Sequence, residues 1–227
     1  QGNQQFCQLI NDGQPLRLDN SGPRNTIRIT PINLAQQLVK GVDIEAGYNL
    51  PLTSLGFDDG RVSFRLIATH FLKNYRNDTF TVPVDYAGEN YGGTASPDWR
   101  WTAVLGYENL SFSSALTARG VSSGVYSNAM IECTSGCPES TIANPTINEN
   151  DLAGAIYLDW AMTYKMLLGA DQDTQVELFL NVKNIANKDP VIAVGGPGGV
   201  PFDTVSTNAS VYDSLGRVFR AGFRVKM

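Results

Sequence analysis

His70 is the single histidine of the chain, so any Ser/His/Asp catalysis would have to pass through it. It lies inside a strand pattern, and its neighbours Phe71 and Leu72 provide no nucleophile elbow. A histidine on a strand is the better reading. Zinc would need four ligands, which one histidine and 3 cysteines are poorly placed to supply. Cys133 and Cys137 lie in a polar Glu-Cys-Thr-Ser-Gly-Cys-Pro stretch, and this spacing predicts a disulfide closing a small loop. Cys7 is then left without a mate; in an oxidising compartment that points to a partner outside this sequence, and in the cytosol all three thiols would stay reduced. Gly195 to Gly199 lacks the Gly-Lys-Ser/Thr ending of a phosphate cradle and reads as a surface loop. Asp58-Asp59-Gly60 and Asn11-Asp12-Gly13 lack the spaced ligands of a calcium loop and read as turns. The chain is expected to be no enzyme and to hold no cofactor or metal.

What must position these residues is a set of strands. At the C-terminus Phe219, Ala221, Phe223, Val225 and Met227 alternate with Val218, Arg220, Gly222, Arg224 and Lys226. Side chains of a strand change face at every residue, so one face is apolar and the other largely cationic. The same alternation recurs around Ile44, Phe64, Leu105, Leu116, Trp160 and Leu178. Seven long strands result, each about the 9–11 residues of a tilted membrane crossing. The predicted connections alternate in length. Those from Leu50 to Arg61, Tyr107 to Leu110 and Leu167 to Gln175 are short, whereas Asn74 to Asp98, Gly120 to Ala153 and Ile185 to Gly216 are long. Short turns at one end and long loops at the other mark an outer-membrane barrel. Trp99, Trp101, Tyr107, Tyr164, Phe71 and Tyr75 fall near strand ends, where aromatic girdles sit.

Composition leaves this open. A 42% hydrophobic and 17% charged chain is ordinary for a globular protein, and 22 Gly with 11 Pro suit a fold of many turns. No apolar run approaches the ~20 residues of a membrane helix. Net charge is −5 and the basic residues are scattered, which argues against nucleic acid as a partner. No cationic start followed by an apolar core opens the chain, so no signal peptide is expected.

Two motifs then point to a family. Val182-Lys183-Asn184-Ile185-Ala186-Asn187-Lys188-Asp189-Pro190 resembles the penultimate-strand signature of TonB-dependent outer-membrane receptors, and Tyr212-Asp213-Ser214-Leu215-Gly216-Arg217 resembles the segment leading into their last strand. Upstream, Asn33-Leu34-Ala35 followed by Lys40-Gly41-Val42-Asp43-Ile44-Glu45 is similar to another of their strands. The resemblance spans about Thr26 to Met227; Met227 departs from the usual terminal Phe. It implies an all-β, antiparallel transmembrane β-barrel segment, the C-terminal seven or eight strands of a 22-stranded barrel in the bacterial outer membrane. Residues 1–32 would be an extracellular loop, with an eighth strand possible over residues 24–31, and 33–227 the barrel strands. The family's plug domain, earlier strands and TonB-engaging box would precede Gln1. The implied partners are outer-membrane lipid, that plug, the TonB complex and an imported small molecule. A small self-contained outer-membrane barrel with a structural or adhesion role, and a secreted carbohydrate-binding β-sandwich, remain open alternatives.

On this reading Asp43, Glu45, Arg65, Arg100, Arg119, Asp159, Glu177, Lys183, Arg220 and Arg224 face the lumen. Asp85, Tyr86, Glu89 and Tyr91 are the candidate ligand contacts in an outward loop.

Overall fold

A computed structural model describes residues 36–77, 82–93, 95–141, 143–168, 174–193 and 207–226. Cys7, the expected loop of residues 1–32, the eighth strand over residues 24–31, Gly195 to Gly199 and Met227 lie outside the described residues.

Alternating stretches become strands because neither a helical stripe nor a proline interrupts them, and hydrogen bonding between neighbours satisfies their backbone. The chain forms β1 (Gln36–Pro51), β2 (Arg61–Asn77), the short β3 (Val84–Asp85), β4 (Trp99–Glu108) and β5 (Phe112–Val121). Short segments β6 (Gly124–Val125), β7 (Ile131–Glu132), β8 (Thr146–Ile147) and β9 (Asp151–Leu152) follow in one long connection. β10 (Ala155–Leu168), β11 (Thr174–Lys183) and β12 (Val218–Lys226) complete it. The long strands pair antiparallel with their sequence neighbours in an 8-stranded sheet, order β1-β2-β4-β5-β10-β11-β12, with β3 beside β2. The fold is all-β. Each predicted long strand is present, with boundaries corrected: β2 runs on to Asn77 and β10 begins at Ala155, and Leu110 belongs to the turn before β5, where Asn109 Oδ1 accepts from the backbone N–H of Ser111 and Phe112. That Asx turn competes with extension of the strand. A register shift at Lys40/Gly41 marks a bulge in β1.

Register decides whether seven amphipathic strands make one amphipathic sheet. They do: the row Tyr48, Phe64, Leu105, Leu116, Trp160, Val182 and Phe219 crosses every long strand in directly paired positions. On the opposite face Asp43, Thr69, Arg100 and Val121 are aligned in the same way. Among the described residues no second layer covers most of this row: Tyr48, Phe64, Leu105, Leu116 and Phe219 are exposed, Leu105 and Phe219 at 52% and 65%, Trp160 is half-buried and only Val182 is buried. The clustered core instead sits at the long-loop end, where Val121, Ala155, Tyr157 and Tyr212 pack with Val191 and Val211. Two glycines allow large rings to lie flat on the sheet. The Trp101 indole covers Gly120 on the apolar face, and Phe179 covers Gly222 on the polar one, where an added Cβ would stand 2.7 Å from the ring.

Candidate functional site

The polar face is organised as cross-strand charge pairs. Arg65 donates to Glu45 Oε1 from Nε and Nη2 at 3.0 and 2.8 Å, and Thr69 Oγ1 donates to Asp43 at 2.7 Å. Arg61 pairs with Glu108. Glu177 receives Lys226 at 3.0 Å and lies 3.7 Å from Arg224. Arg220 and Arg224 flank the Phe179 ring at 5.9 and 5.5 Å. The exposed Arg61–Glu108 and Arg65–Glu45 pairs contribute about 0.2–1 kcal/mol each, so they set the character of the face more than its stability.

The strongest set is centred on Arg119. Its guanidinium donates to both oxygens of Asp159, at 2.7 and 3.1 Å, reaches Asp213 at 3.3 Å, and lies 5.5 Å from the centre of the Tyr157 ring. Asp159 also accepts the backbone N–H of Asn184 at 2.9 Å. The two sequence motifs thereby meet. Asn184 and Asn187 hold positive φ of 48° and 51°, a region asparagine tolerates better than most residues. Asn187 Oδ1 accepts from Arg217 N, and the Asn184 side chain closes a turn onto Lys188. Lys183 lines the adjoining recess with Asp213 and Gly216. Arg100 leaves this group and donates to Ser210 O at 2.7 Å.

A second group of bonds joins the three long connections at one end of the sheet. Asn208 and Asn90 are fully buried there. Asn208 Nδ2 donates to the carbonyls of Asn90 and Gly92, Asn90 Nδ2 donates to Ser122 O, and the Tyr212 hydroxyl donates to Ala153 O. No local pattern announced this tie, since its members are far apart in sequence, and buried asparagines in separate loops carry no periodic signal. Cys133 and Cys137 are bonded, with Cα atoms 5.6 Å apart, just after β7 in the middle connection.

The loop candidates divide into supports and lining. Asp85 accepts from the backbone N–H of Asn74 and Ala87, at 2.8 and 3.2 Å, and the Arg76 guanidinium stands 6.0 Å from the Tyr86 ring. Glu89 is buried and accepts from Asn128 N at 2.7 Å and Ser127 Oγ at 3.1 Å. These three hold the loop. Tyr91 alone of the four borders an open cavity of 580 Å³, which Tyr126, Ile147, Glu149, Asp151 and Leu152 also line. The Tyr91 and Tyr126 rings meet at a tilt of 53°, centroids 5.3 Å apart.

Burial pushes the Glu89 carboxyl above its ordinary range; the Asn128 and Ser127 bonds oppose this, and Asp85 adds to the rise. A carboxyl whose folded pKa is raised favours the folded loop while protonated, and that contribution is lost as pH climbs from the unfolded value through the folded one. Glu89→Gln keeps an acceptor oxygen for both donors without the charge. The loop is therefore expected to grow less protected with rising pH in the parent protein and to lose that dependence in the variant, read by amide hydrogen exchange at Asn128. The same pH profile in both would overturn this account.

No protein-family model matches the chain, and no curated protein or solved structure matches it.

Proposed function

We propose that this chain supplies consecutive strands of an outer-membrane β-barrel of the TonB-dependent receptor type, which imports a scarce nutrient past its long loops. One observation carries the reading: the apolar row that crosses all the long strands and is exposed at Tyr48, Phe64, Leu105, Leu116 and Phe219, opposite a face of paired charges. A bilayer covers such a face without a second protein layer, and a wide lumen or a plug accommodates the charged one. Short turns at one strand end and long connections at the other agree with periplasmic and outward ends. Among the described residues β1 and β12 each pair on one side only, and in this reading further strands continue the wall from both edges. A secreted sandwich would place its main core beneath the sheet, whereas the buried cluster lies at the loop end.

The test is fractionation of cells expressing the complete reading frame, followed by uptake with and without TonB. The expected result is outer-membrane recovery, extraction only by detergent, heat-modifiable migration, and nutrient uptake that stops when TonB is removed. Recovery as a detergent-free soluble protein would sink the membrane reading. Insertion without any TonB-dependent uptake would leave the barrel and sink the transporter.

A further inference from the structure

We infer that the 580 Å³ cavity between Tyr91, Tyr126, Glu149 and Asp151 binds an organic cation with an apolar body. As the substrate class of an importer this rests on the transport reading above; the binding itself does not. Its volume falls within the roughly 300–1,000 Å³ of small-molecule sites.

The lining divides by chemistry. Ile147 and Leu152 offer apolar wall, and Tyr91 and Tyr126 bring two aromatic rings tilted by 53° to one another. Glu149 and Asp151 bring two carboxylates, and no lysine, arginine or histidine borders the cavity among the described residues. Neither carboxylate has an ion-pair partner among those residues. An ammonium or guanidinium group is attracted both by aromatic faces and by free carboxylates, whereas an anion is repelled by both. The site also has a reason to be preformed. Tyr91 comes from the first long connection, and Tyr126 and Asp151 from the second. The buried Asn90 and Asn208 bonds and the β6–β9 pairing of Val125 with Asp151 hold these segments in place before any ligand arrives.

The test compares three probes on one frame, phenethylamine, 2-phenylethanol and phenylacetate, with the full chain in micelles by ligand-observed NMR at neutral pH. The amine is expected to bind at least about tenfold more tightly than the alcohol, with the carboxylate weakest, and to weaken as salt rises. Glu149→Gln with Asp151→Asn, both at exposed positions, is expected to bring the amine down to the level of the alcohol, and Tyr91→Leu to weaken it severalfold. Equal binding of amine and alcohol, preference for the carboxylate, or no binding of the amine would each overturn the inference without requiring any variant to fold. Cation binding without TonB-dependent uptake would uphold it and sink transport; TonB-dependent uptake by a protein that shows no cation preference would do the reverse.

Discussion

Leu105→Arg is expected to cost about 2–4 kcal/mol of insertion stability, while Val104→Arg, one residue earlier, costs little. Leu105 pairs with Phe64 and Leu116 on the apolar face, between Trp101 and Tyr107 of its own strand. In the membrane reading Leu105 faces lipid well inside β4 (Trp99–Glu108), where an arginine finds neither water nor a partner. Val104 pairs with Arg65 and Thr117 on the polar face, where a guanidinium stays solvated. Phe223 lies in the middle of β12, directly paired with Leu178 in the middle of β11 on the same apolar face. Phe223→Arg is therefore expected to cost about 2–4 kcal/mol as well. Urea unfolding in lipid vesicles measures all three; similar losses for Leu105→Arg and Val104→Arg would refute the lipid-facing assignment.

The second large effect is expected at the loop tie. Asn208→Ala removes the donors to the Asn90 and Gly92 carbonyls and the acceptor that holds Ser210 N and Oγ. Buried acceptors left without partners cost about 1–3 kcal/mol each, so the loop cluster should lose roughly 3 kcal/mol. The loss is local, because the sheet ladder does not pass through Asn208. Amide exchange should therefore speed up at Asn90 and Tyr212 and stay unchanged at Leu105. Unchanged exchange at Asn90 would show that the three connections hold together without this side chain.

Much of the sheet was legible because each strand carries its own signal. The alternation around Phe64 or Leu178 follows from backbone pleating and needs no partner to be read. Leu110 was misplaced in β5 because alternation continues through it, while the side chain of Asn109 turns the backbone. Reading Asp85, Tyr86, Glu89 and Tyr91 as one group of ligand contacts was coarser than the structure. Composition marks them as polar and aromatic loop residues, but only packing separates the buried Glu89 from Tyr91 at the cavity. Glu149 and Asp151, the carboxylates of that cavity, had no motif to single them out.

By itself the sequence determined the strands, their two faces, the alternation of short and long connections and the nearby cysteine pair, all properties of residues within a few positions of one another. Tertiary structure alone decided that the apolar faces share one side, that Arg119 lies between Asp159 and Asp213, and that Asn208 reaches Asn90 across 118 positions. The reason is physical: pleating is fixed by each residue's own covalent geometry, whereas contacts between distant loops depend on how the whole sheet brings its ends together.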